Sequence, residues 1–362
     1  MSTQTGDHEK CGGINEGSEA MVEVEDGIKV WLRTWGNLNT GIPVLFVHGG
    51  PGNCVADYGD INEQFFDKSI FYVVEVDQRG TGKSQPSVRD DFRNMKKYLD
   101  ISIDKMSADF EVVRKKLGID KWLVFGGSWG STLGLHYAET YPHRCLGLII
   151  RGILLNTVEE FDAIYTQRPF EDNRRRLKEF KIFFDIAEKE ALKLGEPALD
   201  PNDSKRFVRL YEKMIVEGNR DAIWRFYVFE NNIIEEDEEN LLDPFTISGD
   251  LMPEATSVSF FEARLFLRGA FEQPLTLLED VKKLQEGPVK TWVVQGLGDE
   301  ICPEKYARDL VGSLKTVEGV LQKAHFVDAG HRASSDGVFS ALQECVNDFL
   351  DGHQNNPHQT SK

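Results

Sequence analysis

The chain has 362 residues, 40% hydrophobic and 28% charged, a balance that excludes a disordered protein and suits one α/β core carrying an inserted subdomain. Its 42 Lys and Arg stand against 60 Asp and Glu; the formal net charge of -18 repels nucleic acid and anionic membranes, tolerates a cationic substrate group and aids solubility. Five scattered cysteines (Cys11, Cys54, Cys145, Cys302, Cys345) with no C-x-x-C pair argue against a disulfide framework or a zinc site and suit a reducing, cytoplasmic compartment.

Met1 to Gly13 is polar, so no secretory signal is expected, and residues 1–20 read as a flexible tail. No run of about 18 apolar residues exists to span a bilayer. From 21 to 154, short apolar runs alternate with helix-like stretches. Val44 to Val47, Tyr72 to Val76, Leu123 to Phe125 and Leu146 to Ile150 are apolar enough for strands buried on both faces, the pattern of a parallel sheet. Met106 to Leu117 predicts a helix ending before Gly118. Between 155 and 287 the charge density rises, as in Arg174-Arg175-Arg176 and Glu235 to Glu239. Phe180, Phe183, Phe184 and Ile186 recur there at helical spacing. This predicts a mainly helical cap whose charge runs are solvated faces. From 288 to 352 the strand signal returns in Val289 to Val294 and Phe326 to Val327, before a closing helix over Val338 to Leu350. Residues 353–362 read as a second flexible tail. The expected class is α/β, a mostly parallel central sheet flanked by helices and interrupted by the cap.

Gly126-Gly127-Ser128-Trp129-Gly130 matches G-x-S-x-G between an apolar strand and a helix-like segment. Such a turn exposes the serine hydroxyl and aims a helix N-terminus at the reacting centre. Ser128 is therefore the candidate nucleophile, and it needs a base. Of eight histidines, His8, His353 and His358 lie in tails. His136 and His143 belong to the helix after the serine and its end, His325 begins an apolar run, and His48 precedes a glycine turn. His331 remains, on a loop after a late predicted strand. The acid should fall between serine and histidine in chain order, on a loop after a strand. Asp299, after Trp292 to Gln295, fits best, with Glu300 and Asp328 as competitors. An oxyanion would need donors. The backbone N–H of Trp129 is one. The other comes from His48-Gly49-Gly50-Pro51-Gly52, with Gly50 preferred and Gly49 the alternative.

Taken with Asp77-Gln78-Arg79-Gly80-Thr81-Gly82-Lys83-Ser84, Arg151-Gly152-Ile153 and Asp299-Glu300-Ile301-Cys302-Pro303, these motifs resemble the signatures of the proline iminopeptidases, over roughly Val22 to Leu350. The resemblance implies the α/β-hydrolase fold and a serine aminopeptidase that releases N-terminal proline, or a similar residue, through an acyl-enzyme. It also implies that two cap glutamates hold the substrate's free amine. Trp224 to Glu230 is similar to one such stretch, with Phe229 where a second tryptophan is usual, and Phe261-Glu262-Ala263-Arg264 is similar to the other. Glu230 and Glu262 are thus the expected amine-binding pair, among Phe226, Tyr227, Phe229, Phe260 and Phe261. The expected partner is a peptide or small molecule with a free N-terminal amine; no cofactor and no metal are called for. The alternative is an esterase, amidase or biosynthetic hydrolase with the same core and an altered cap, and a third reading is a hydrolase-fold binding protein or receptor.

Overall fold

The computed structural model describes residues 17–235 and 237–354. Eight strands form one sheet: β1 (Glu19–Glu25), β2 (Ile28–Gly36), β3 (Ile42–Val47), β4 (Phe71–Val76), β5 (Trp122–Ser128), β6 (Cys145–Ile153), β7 (Thr291–Gly296) and β8 (Leu321–Val327). Their order is β1-β2-β4-β3-β5-β6-β7-β8. β2 runs antiparallel to β1 and to β4, and every later pairing is parallel. The apolar runs read from sequence fall on β3 to β8, the run from Val289 starting two residues before β7. The first two strands were not singled out: β1 alternates exposed or half-exposed residues with few buried ones, and β2, although mostly buried, carries Lys29, Arg33 and Thr34 among its apolar residues. Of the expected tails, residues 1–16 and 355–362 lie outside the described residues, whereas Glu19 and Ala20 belong to β1.

The helices are α1 (Asn62–Phe65), α2 (Ile103–Lys116), α3 (Trp129–Thr140), α4 (Val158–Tyr165), α5 (Arg174–Lys193), α6 (Ser204–Val216), α7 (Arg220–Ile234), α8 (Met252–Leu267), α9 (Leu277–Asp280), α10 (Glu304–Leu314) and α11 (Asp336–Gln354). Side chains alternate across the strands, so the sheet has two apolar faces. Leu45, Val47, Val74, Val124, Leu148 and Ile150 meet Phe110 of α2, Leu133 of α3 and Leu310 of α10 on one side. Val44, Phe46, Val73, Leu123, Phe125 and Ile149 meet Phe65 of α1 and Leu342 and Phe349 of α11 on the other. Both faces being covered is what made these strands read as continuous apolar runs.

Between β6 and β7 the chain leaves the sheet and forms α4 to α9. Thr157, Asn173, Asp203 and Asn219 each accept a hydrogen bond from a backbone N–H in the first turn of α4, α5, α6 and α7, satisfying donors the helix cannot. The apolar faces of these helices enclose an aromatic cluster. Phe183 stacks on Phe229 with centroids 4.2 Å apart and planes 6° apart, and on Tyr211 at 4.4 Å. Such a pair contributes about 0.5–1.5 kcal/mol beyond the area it buries. No helix among the described residues is long and apolar enough to cross a membrane.

Candidate functional site

Ser128 ends β5 and immediately precedes α3, with φ 57° and ψ -130°. The left-handed φ is costly for a residue with a side chain, and such strain concentrates at functional sites. The surrounding glycines make the turn possible. A Cβ at Gly130 would stand 2.2 Å from the Val47 carbonyl oxygen, and one at Gly126 would stand 2.4 Å from that of Gly130. Trp129 opens α3, so its backbone N–H has no partner within the helix.

The loop after β3 is fastened to this turn by the residues after β4. Asp77 accepts the backbone N–H groups of Val55 and Lys83, both at 2.7 Å. Gln78 donates through Nε2 to the His48 carbonyl at 2.8 Å and accepts from the Trp129 indole at 3.1 Å. Arg79 clasps Asp109 through two bonds of 2.7 and 2.6 Å. His48 is fully buried; its Nε2 accepts from the Gln78 N–H at 3.0 Å, which leaves Nδ1 to donate to the Gly49 carbonyl at 2.9 Å. Burial pushes its imidazole down to about 4, so it is neutral and serves as a spacer. The Gly49 N–H donates to the Tyr58 hydroxyl at 2.7 Å. Gly50 N–H, by contrast, has no hydrogen-bond partner among the described residues.

Asp299 and His331 come from the loops after β7 and β8. His331 Nδ1 lies 2.8 Å from Asp299 Oδ2. Asp299 is buried, and its other oxygen accepts the N–H groups of Ile301 at 3.0 Å and Cys302 at 2.8 Å, while Gln295 donates to Oδ2 at 3.3 Å. Four donors hold the carboxylate and fix which nitrogen of His331 carries the proton. Gly152, with φ 53°, lies against the pair: a Cβ there would stand 3.1 Å from His331 Cε1. Of the two competing acids, Glu300 is exposed and pairs with Arg176, and Asp328 lies on the histidine's own loop. Asp299, Cys302 and His331 also bring one donor atom each within 4.8 Å of one another, a composition that could hold a metal. The chemistry does not suit one, since the carboxylate is already saturated, and burial, then the charge of Asp299, pushes the Cys302 thiol well up and keeps it protonated.

One cavity of about 710 Å³ is lined by Ser128, Gly50, His331, Glu230 and Glu262, together with Arg151. Glu230, on α7, accepts a hydrogen bond from the Tyr165 hydroxyl. Glu262, on α8, has a buried oxygen, Oε2, with no hydrogen-bond partner among the described residues. Burial pushes Glu230 up to about 7, against the opposing effect of the Tyr165 bond; burial and then the charge of Glu230 push Glu262 well up. Two carboxyls facing one cavity, one with an oxygen unsatisfied, would be matched by a cation that also donates hydrogen bonds. Of the aromatic residues expected around them, Tyr227 lines the cavity, whereas Phe226 and Phe229 pack into the aromatic core of α5 to α7. Tyr58 and Tyr165 had no motif to announce a role, and Arg151 belonged to a motif that assigned it none, because their partners lie far away in the chain or on another loop.

A family model described as the alpha/beta hydrolase fold matches residues 42–338. A probable proline iminopeptidase of Leptolyngbya boryana is 34% identical, over 89% of this chain and 90% of its own. The proline iminopeptidase of Neisseria meningitidis serogroup A is 32% identical over 91% and 95%, and that of Arabidopsis thaliana 30% over 83% and 72%. Among solved structures, a bromoperoxidase from Bacillus anthracis superposes with a TM-score of 0.55 at 16% identity, covering 92% of this chain and 100% of that one, which speaks for the fold alone. With the sheet order, the serine turn and relatives matched over nearly their whole length, the chain belongs to the proline iminopeptidase family of the α/β-hydrolase fold.

Proposed function

We propose that the chain is a serine aminopeptidase that releases N-terminal proline from peptides. Ser128 Oγ attacks the carbonyl carbon of the first residue while His331 Nε2 takes the hydroxyl proton. Asp299 holds His331 with Nδ1–H toward itself and stabilises the imidazolium that forms. The N–H groups of Gly50 and Trp129 receive the oxyanion; the engagement of the Gly49 N–H by Tyr58 favours Gly50 over its neighbour. His331 then protonates the leaving amine, the C–N bond breaks, and water, deprotonated by the same imidazole, releases proline from Ser128. Residues 155–287 act as the cap over core segments 21–154 and 288–352.

The observation that carries the specificity is the Glu230–Glu262 pair in the same cavity as Ser128. A protonated N-terminal amine donates to both carboxylates and cancels the repulsion between them. An esterase has no use for such a pair, so the peptidase reading is the better one. The described cysteines, Cys54, Cys145, Cys302 and Cys345, are all free and buried, which supports a reducing, cytoplasmic setting. The test is a panel of aminoacyl arylamides, their N-acetylated forms and simple aryl esters. Release from prolyl arylamides that is lost on acetylation is expected; equal turnover of free and acetylated prolyl substrates would return the site to the esterase or amidase reading.

A further inference from the structure

A second cavity, of about 510 Å³, opens between the end of α7 and the loops after β7 and β8. Tyr227, Asn231, Ile301, His331 and Arg332 line both it and the cavity that contains Ser128. His331 and Arg332 therefore stand on the rim the two spaces share. The acidic groups around this rim are engaged. Asp57 holds Arg89 at 2.7 Å, Glu254 accepts from the Tyr227 hydroxyl at 2.9 Å, Glu235 accepts the Asp237 N–H at 3.0 Å, and Glu300 pairs with Arg176. Arg151, the other arginine of the main cavity, donates to the His331 carbonyl at 2.7 Å. Arg332 is exposed, and its guanidinium has no hydrogen-bond or ion-pair partner among the described residues.

We infer that Arg332 anchors the free C-terminal carboxylate of a short peptide, so that Pro-Xaa dipeptides are favoured over substrates in which that carboxylate is blocked. The inference rests on the aminopeptidase reading above. His331 hands its proton to the leaving nitrogen, and in a dipeptide the terminal carboxylate is two bonds from that nitrogen. Arg332, which lines the same cavity as Ser128 and His331, is thus placed to meet it. The carboxylate is ionised at neutral pH, and a guanidinium offers it two parallel N–H donors. Without such a partner, a carboxylate entering the rim would meet Asp57, Glu254 and Glu300 and the field of a chain of formal net charge -18. The cleft then complements a zwitterion, with two carboxyls for the amine at one end and a cation for the carboxylate at the mouth.

The experiment compares kcat/KM for Pro-Gly with that for Pro-Gly amide in the wild type, Arg332→Gln and Arg332→Lys. The ratio of the two substrates is taken within each preparation, so loss of active protein cancels. The wild type is expected to prefer the acid by about tenfold, the size of a charge-assisted bond discounted for an exposed rim. Arg332→Gln is expected to abolish the preference and Arg332→Lys to restore part of it. An acid-to-amide ratio that is the same in the wild type and Arg332→Gln overturns the inference while cleavage of a prolyl arylamide leaves the aminopeptidase reading standing. A wild type that releases proline from neither dipeptide nor arylamide brings down both.

Discussion

Arg151 Nη1 donates to the backbone carbonyl of His331 at 2.7 Å, joining the end of β6 to the loop that carries the proposed base. The same guanidinium packs on the serine turn: a Cβ at Gly127 would stand 2.5 Å from Arg151 Nε. One side chain thus bridges the turn of Ser128 and the loop of His331. Arg151→Gln is expected to lower kcat by roughly ten- to a hundredfold, as misplacement of a reacting group does, with KM for prolyl arylamides little changed. Partial recovery in Arg151→Lys separates positioning from general destabilisation. A change confined to KM would assign the residue to substrate binding instead.

Ser128→Ala is expected to abolish labelling by a fluorophosphonate and to lower kcat by about 10⁴- to 10⁶-fold, with thermal unfolding close to that of the wild type. Normal burst kinetics in this variant would remove Ser128 from the mechanism.

The environments of Asp299 and Glu300 predict opposite mutational effects. Asp299→Asn disrupts the partner of His331 Nδ1 and should cost about 10⁴-fold in kcat. Glu300→Gln alters an exposed pair with Arg176, worth about 1 kcal/mol or less of stability, and should leave kcat near the wild-type value. Steady-state kinetics of both variants decides between them; a reversal of the pattern would make Glu300 the acid.

The cap pair predicts a pH dependence of binding. The folded protein holds Glu230 near 7 and Glu262 well above its ordinary value, so an incoming ammonium has to displace a proton. KM for prolyl arylamides should therefore fall as pH rises through about 7, while KM for simple aryl esters stays flat over the same window. Glu230→Gln and Glu262→Gln should each lower kcat/KM for prolyl arylamides by roughly ten- to a hundredfold, equivalent to about 1.5–3 kcal/mol. Ester turnover in these variants is the control, and an equal loss on esters would mean that the two carboxyls act on the triad instead of the amine.

The same shift carries a consequence for stability. A carboxyl whose folded pKa lies above its unfolded value binds more protons folded than unfolded between the two. It therefore contributes stability at low pH that is lost as pH rises through the folded value. Glu262→Gln should raise the unfolding free energy by on the order of 1 kcal/mol at pH 8 and by less at pH 5, measured by urea denaturation at both values. A variant less stable than the wild type at pH 8 would mean that the unpartnered oxygen is compensated in the empty site.

Much of the site was legible because its determinants are local. The serine turn needs small residues at Gly126 and Gly130 within a few positions of Ser128, and the chain order serine, acid, histidine left His331 and Asp299 to be found at strand ends. The apolar runs of β3 to β7 announced themselves because helices cover both faces of the sheet, whereas β1, half solvated, did not. The bonds from Tyr58 to Gly49, Tyr165 to Glu230 and Arg151 to His331 were invisible, as were the second cavity and the placement of Arg332 on its rim. They join residues up to 180 positions apart. Sequence alone therefore singled out the candidate reacting groups, since turn chemistry and burial pattern act over a few residues. Their spacing, their protonation and what surrounds them were decided by tertiary structure, because distance and desolvation depend on which strand ends and helix faces the sheet order brings together.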